Sequence, residues 1–289
     1  MAVALVYPVI RFCIMWGYVN FNSILSTVSQ YDPIKDIFVI DGSKLFLHWD
    51  LMFQRIFGDE NTRRMVLNSF LYFPVTCFIT LPLSVFFSYF LYKKVLAGSV
   101  FRVIFYLPSI LPIAVLTMSF RFAFDTNGFI NPMLRALGFN DPPIWWGNSS
   151  VTPSMVFVYC VWAGLGFNIV LLGGAMSRVP IELSECGRLE GIGFIRELFQ
   201  VMIPLVWPTI VTTFILGMSS VLTVFLQPLF LTGGGFGSGT ISLYIFTNYG
   251  DTSQGPFLAA FGLFCTLCYV PVILLTRWFM NRFFSNVSY

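Results

Sequence analysis

Charge is what this chain has least of. Only 10 % of its 289 residues are Asp, Glu, Lys or Arg, against 57 % hydrophobic, whereas a soluble domain carries about 25 % charged residues. A water-soluble globular domain is excluded, in keeping with a mean hydropathy of +0.80. The net charge is +3, and no basic cluster is interleaved with aromatics, so nothing points to nucleic acid. His48 is the sole histidine; one imidazole makes no metal site, and a surface position in a polar segment is expected for it. The six cysteines, at 13, 77, 160, 186, 265 and 268, form no oxidative framework. Cys265 and Cys268 have the spacing of a metal or redox pair but lie within an apolar run without further ligands, and read as packing. The apolar start has no basic leader and no small-residue cleavage site, so it reads as a retained span rather than a signal peptide.

Catalytic equipment is missing as well. No Gly-x-x-x-x-Gly-Lys-Ser/Thr motif occurs, and the glycine cluster from Gly233 to Thr240 lacks the lysine that reaches phosphates, so it reads as a turn. No nucleophile, base and acid set is visible, which argues against a membrane-bound enzyme. An ion-coupled secondary transporter is disfavoured too, because the fourth to sixth apolar runs hold no carboxylate or histidine for a proton relay and no internal repeat stands out.

What the chain does have is apolar runs long enough to cross a bilayer as helices of ~20 residues. The expected spans are 2–21, 67–92, 103–124, 152–176, 205–231 and 256–280. The first carries Arg11 near its middle, where a charge needs a cavity or a partner. Short loops that keep Lys and Arg face the cytoplasm. Lys93, Lys94 and Arg102 mark the 93–102 loop, Arg178, Arg188 and Arg196 the 177–204 loop, and Arg277 and Arg282 the carboxyl end, while 125–151 and 232–255 hold only Arg135. Both termini are therefore expected in the cytoplasm, with the mixed-charge segment 22–66 outside. Prolines 74, 82, 108, 112, 204, 208, 228 and 271 fall within or beside the runs, where each removes a backbone donor and tends to kink its helix.

The segment 179–204 interrupts these runs with charge. Pro180 suits a helix start, Gly191 a helix stop, and the stretch between them carries Glu182, Glu185, Arg188 and Glu190. Phe194, Ile195, Leu198, Phe199 and Met202 then recur at helical spacing and are expected to form one apolar face.

Here the sequence resembles the permeases of bacterial binding-protein-dependent ABC importers. Their loop signature is Glu-Ala-Ala, three residues, Gly, nine residues, then Ile-x-Leu-Pro. Glu185-Cys186-Gly187, Gly191 and Val201-Met202-Ile203-Pro204 keep that spacing without a gap, with small residues in place of the alanines and Glu190 as the acidic residue before the glycine. Phe101-Arg102 with Leu107-Pro108, Gly128-x-x-Asn131, Trp162-Ala163-Gly164 and Thr232-Gly233-Gly234 with Thr240 resemble the carbohydrate branch, of maltose and larger oligosaccharides. The resemblance covers roughly 65–285; the branch's basic tail ahead of the first span is missing.

The resemblance implies an all-α polytopic membrane protein of the type I ABC importer permease fold, with six transmembrane helices in the bacterial cytoplasmic membrane. Residues 1–66 would hold the first helix and an external segment, and 67–289 the core domain with its cytoplasmic coupling loop, 177–204. It implies no catalytic residue and no bound metal or cofactor, ATP and Mg being used by a partner. The implied partners are a second homologous permease, two ATP-binding subunits, an extracellular solute-binding protein and the oligosaccharide. Glu182, Glu185, Arg188, Leu189 and Gly191 would couple to the ATPase. In the maltose-type relatives sugar contacts come from the fourth and fifth spans, and the matching positions here are Gly164, Phe167, Ser220, Val221 and Val224. The two valines replace asparagines, which leaves specificity open. Trp162, Asn168, Ser219, Thr223 and Gln227 are the other candidates for substrate contact, each also suited to backbone bonding or helix packing. An importer of another solute, such as a glycerol phosphoester, would call on Arg11 or Arg121.

Overall fold

A computed structural model describes residues 2–32, 37–40, 46–93 and 98–283. The chain divides into two compact units, one of residues 1–63 and 244–271, the other of 64–243 and 272–289.

The first unit contains α1 (Ala2–Thr27), an antiparallel hairpin of β1 (Ser29–Asp32) and β2 (Ile37–Ile40), and α2 (Leu47–Gly58). The expectation of an all-α chain is corrected here: Ile37-Phe38-Val39-Ile40 is a β-branched and aromatic run, and it pairs as a strand. His48 is half-buried rather than on the surface, with Nε2 at 3.0 Å from the Ser29 carbonyl. Arg55 of α2 donates to the Tyr244 hydroxyl at 2.8 Å and lies over the Phe257 ring. Asp59 caps the start of α3 (Glu60–Val75), its carboxylate accepting from the backbone of Asn61 and Thr62 and from the Thr62 hydroxyl.

In the second unit α3 runs through a π-helical turn, Thr76–Thr80, into α4 (Leu81–Tyr92). Then come α5 (Gly98–Ile110), α6 (Ile113–Ala123), α7 (Ile130–Ala136) and α8 (Thr152–Met176). The charged loop contains α9 (Ile181–Leu189) and α10 (Phe194–Glu197), after which a second π turn, Leu198–Met202, leads into α11 (Ile203–Met218). The chain continues with α12 (Ser220–Thr223), α13 (Leu226–Thr232), α14 (Ile241–Asn248) and α15 (Gly255–Phe283), of which residues 244–271 belong to the first unit.

Four helices of the described residues are long and apolar enough to cross a membrane: Glu60–Tyr92, Thr152–Met176, Phe194–Thr223 and Thr252–Met280. The bent pair α5 and α6 makes a fifth if taken as one span. The 103–124 run is thus no straight helix: its halves meet at 113°. Pro112 lacks the N–H that would continue the ladder, and α6 restarts one residue later. The 205–231 run is also interrupted. Val224 is extended, because Pro228 cannot donate to the Val224 carbonyl four residues back and its ring crowds that oxygen. Pro74, Pro208 and Pro271, by contrast, stay inside continuous helices.

Helices in lipid gain little from hydrophobicity against one another and rely on close packing. A Cβ at Gly166 of α8 would lie 2.5 Å from the Phe105 carbonyl of α5, so only glycine permits that approach. One core cluster joins Leu81, Val85 and Tyr89 of α4 to Leu172 and Met176 of α8 and to Leu198, Met202, Val206 and Ile210. This cluster holds the helix ends on which the charged loop is mounted.

Candidate functional site: the charged loop and the broken fifth run

α9 begins after Pro180, whose carbonyl accepts the first turn's hydrogen bond from Leu183. It ends in a Schellman turn. Gly191 has φ +75°, a left-handed conformation, and the Ile192 N–H reaches back to the Gly187 carbonyl at 2.9 Å. Gly191 is therefore a structural stop. Glu182, Glu185 and Leu189 lie three and four residues apart and all three are exposed, Leu189 at 89 %. Ile181 and Leu183 are exposed too. The Arg188 side chain lies outside the described residues.

The opposite face is anchored at one point. Ser184 is 5 % exposed, and its hydroxyl accepts from Lys93 Nζ and donates to Glu197 Oε1, each at 2.7 Å. Lys93, just beyond α4, and Glu197, at the end of α10, form an ion pair of 2.5 Å with their side chains 9 % and 4 % exposed. Tyr89 lies beneath the ammonium, 5.5 Å from its ring centre. The sequence reading missed Ser184 and Glu197 and used Lys93 only for orientation. A carboxylate between Ile195 and Leu198 was the available signal, since a buried charge demands a partner. The expected single apolar face of 194–202 is divided by this arrangement: Leu198 and Met202 are buried, Phe194 packs on Tyr89, and Ile195 and Phe199 stay exposed. A stripe that wide exceeds what one contact covers.

The second locus is the break at 224–225. The Val224 carbonyl, which Pro228 leaves without a helical donor, accepts from the Thr240 hydroxyl at 2.8 Å, and the Leu222 carbonyl accepts from Ser242 at 2.9 Å. The glycine cluster thus folds back onto the break. Asn68 of α3 clamps it by donating to the carbonyls of Gly237 and Gly239. Irregular backbone at membrane depth persists only where such groups are satisfied.

The candidates for substrate contact have different surroundings. Phe167 is 56 % exposed and Asn168 half-buried. Gly164 is pressed against the π turn, a Cβ there meeting Thr80 Cγ2 at 3.3 Å. Trp162 stacks on Phe120 at 5.7 Å. Ser220 accepts from Thr76 at 3.4 Å, while Ser219 and Thr223 bond their own helix carbonyls. Val221 and Val224 are buried. Gln227 Oε1 and Tyr159 Oη are buried without a hydrogen-bond partner. Arg11 and Arg121 are exposed. Among the described residues no three His, Cys, Asp or Glu side chains are grouped to hold a metal.

Residues 64–289 match the family described as the binding-protein-dependent transport system inner membrane component. Among curated proteins, the chain is 29 % identical over 148 residues to the "Probable ABC transporter permease protein YurN" of Bacillus subtilis, covering 50 % of this chain and 51 % of that one. It is 28 % identical over 174 residues to the sulfoquinovosyl glycerol transport system permease protein SmoG of Agrobacterium fabrum, covering 58 % and 56 %. Against the maltose/maltodextrin transport system permease protein MalF of Escherichia coli it is 28 % identical over 159 residues, 53 % of this chain and 31 % of the other. The alignments thus span about half of the first two relatives and a third of the last. In fold it is similar to a chain of a bacterial ABC transporter involved in import of the acidic polysaccharide alginate, with TM-score 0.79 at 17 % identity, covering 97 % and 95 % of the two chains.

Proposed function

The chain belongs to the family of binding-protein-dependent transport system inner membrane components, and from that premise we propose that it is the permease subunit of an ATP-driven importer of sugars or oligosaccharides. It is a transport component rather than an enzyme. The observation that carries the reading is α9, a capped helix inside the matched region that turns Glu182, Glu185 and Leu189 outward and tethers its other face by Ser184.

On this reading α9 docks on a cytoplasmic ATPase. Its backbone hydrogen bonds are already made, so it transmits force better than a loop. The exposed apolar residues supply contact area, and the carboxylates pair with basic groups on the partner. ATP and Mg are used by two such subunits. A second homologous permease completes the path, and an external solute-binding protein delivers the sugar. α1, 26 residues long with Arg11 within it, supplies a sixth span from the 1–66 segment, ahead of the 67–289 core, and both termini face the cytoplasm. Sugar as the solute class is supported by the relatives named for maltose/maltodextrin and sulfoquinovosyl glycerol. The broken fifth run offers the pathway its irregular backbone, as discontinuous helices do in transporters.

A second reading, a glycerol phosphoester, would call on the exposed Arg11 or Arg121 for its anion. Copurification from the native membrane, followed by ATPase assay with oligosaccharides, sulfoquinovosyl glycerol and glycerol phosphoesters, tests both. Stimulation by oligosaccharides alone supports the first; recovery without any ATPase subunit sinks both.

A further inference from the structure

Only one described side chain of α9 with a functional group is buried, and it is neither of the carboxylates the loop signature singles out. Ser184 uses its hydroxyl in both directions at once, accepting from Lys93 and donating to Glu197. Those partners stand at the ends of two different membrane-spanning helices, Glu60–Tyr92 and Phe194–Thr223. The rest of the helix is lightly held. Ile181, Leu183 and Leu189 are exposed, and Ile181, Ser184 and Glu185 border a cleft of about 600 Å³ whose far wall includes Gly173 and Gly174. A Cβ at either glycine would meet nothing within 4 Å, so the cleft leaves room for α9 to shift. A helix fixed at one polar point beside open space moves as a body about that point.

We propose that Lys93, Ser184 and Glu197 form the joint that positions α9 and carries its displacement into the ends of two spans. This rests on the reading of α9 as the ATPase-contacting helix. Stability alone does not account for the charges. Replacing a buried ion pair by apolar side chains of similar volume is often neutral or stabilising, whereas removing one partner is strongly destabilising. What the ions add is direction. Three short bonds closing a triangle, two of them to the same carboxylate oxygen, fix Ser184 relative to both helix ends, and an apolar contact at the same place would slide.

That difference sets the experiment. The complete transporter, with ATPase subunits and binding protein, is reconstituted in liposomes, and assembly, binding-protein-stimulated ATP hydrolysis and uptake per ATP are read together. The double variant Lys93→Met/Glu197→Met removes the charges in pairs, and Ser184→Ala removes the bridge while leaving the ion pair. Both are expected to assemble as the parent does and to lose stimulation by about fivefold or more, the lower range of an allosteric coupling. The exchange Lys93→Glu/Glu197→Lys is expected to restore part of it. Assembled Met/Met and Ser184→Ala complexes with parental stimulation and uptake per ATP would overturn the joint. If the Met/Met variant does not assemble, Ser184→Ala decides by the same criterion. Leu189→Asp on the exposed face tests the underlying reading separately: undiminished ATPase recovery and stimulation in that variant sinks the docking role of α9, whatever the joint variants do.

Discussion

Replacing Thr240 by valine is a near-isosteric change that isolates the device holding the fifth run open. Thr240 is fully buried. Its hydroxyl donates to the Val224 carbonyl at 2.8 Å and accepts from the Leu243 N–H at 3.2 Å. Valine keeps the shape and strands both backbone groups. Each buried group left unpaired costs about 1–3 kcal/mol, so the loss for the two is roughly 2–6 kcal/mol. At ~2–4 °C per kcal/mol the apparent Tm falls by about 4–24 °C. The assay is thermal unfolding of purified protein in detergent, with two controls. Thr240→Ser keeps the hydroxyl and should recover most of the loss. Thr223→Val removes a hydroxyl that only bonds its own helix at the exposed Ser219 carbonyl, and should stay within about 0.5 kcal/mol. A Thr240→Val protein that melts with the parent would mean that the break at 224–225 is satisfied some other way.

Gly187→Ala should stabilise by about 1 kcal/mol from helix propensity, because the added methyl sits 3.7 Å from Ile192 Cδ1; a lowered Tm refutes the packing described. Glu185→Lys is expected to abolish ATPase-coupled uptake while membrane insertion and folding stay intact, and normal uptake with normal assembly counts against docking by this face. Hydrogen bonds from the Thr62 side chain, then from the Thr62 and Asn61 backbones, hold the Asp59 carboxyl below its ordinary value of 3.8. A depressed carboxyl stabilises above the unfolded value and loses that effect as pH falls through the folded one, so exchange protection of the Thr62 amide should hold down to pH 3.8 and collapse only below it; loss near pH 5 contradicts the cap. Gln227→Leu removes a buried, unpartnered acceptor, so the solute-free protein should melt no lower than the parent while uptake falls; a lowered Tm with uptake unchanged refutes a role in solute contact.

The existence of the spans was legible because a long apolar run needs no tertiary context to be recognised. Residues 152–176 read from the sequence are the helix Thr152–Met176. Where spans break was less legible, since eight prolines look alike in sequence and only two mark interruptions. Pro74, Pro208 and Pro271 stay inside continuous helices, whereas at Pro228 the freed Val224 carbonyl is taken by Thr240, sixteen residues away in a loop whose fold the sequence does not announce. The loop helix was legible from its stop residue, Gly191. Its anchor was not, because Lys93 and Ser184 are 91 residues apart, and pattern reasoning reaches only the next turn.

The same long-range logic bears on the substrate positions. A resemblance transfers a position along the chain, but a side chain can meet solute only if the fold has not already committed it. Trp162, Gly164, Ser220 and Thr223 are each committed, by ring stacking, by close approach to Thr80, by Thr76 and by the helix backbone respectively. Gln227 is not. Its amide oxygen is buried without a donor, a state that costs about 1–3 kcal/mol and that a solute hydroxyl would relieve. It lies three residues beyond Val224, where the helix is broken. Sugar hydroxyls are donors as well as acceptors, so an idle acceptor beside irregular backbone suits them better than a hydroxyl already bonded to its own turn. A solute contact at Gln227 is therefore the expectation that Gln227→Leu puts to the test.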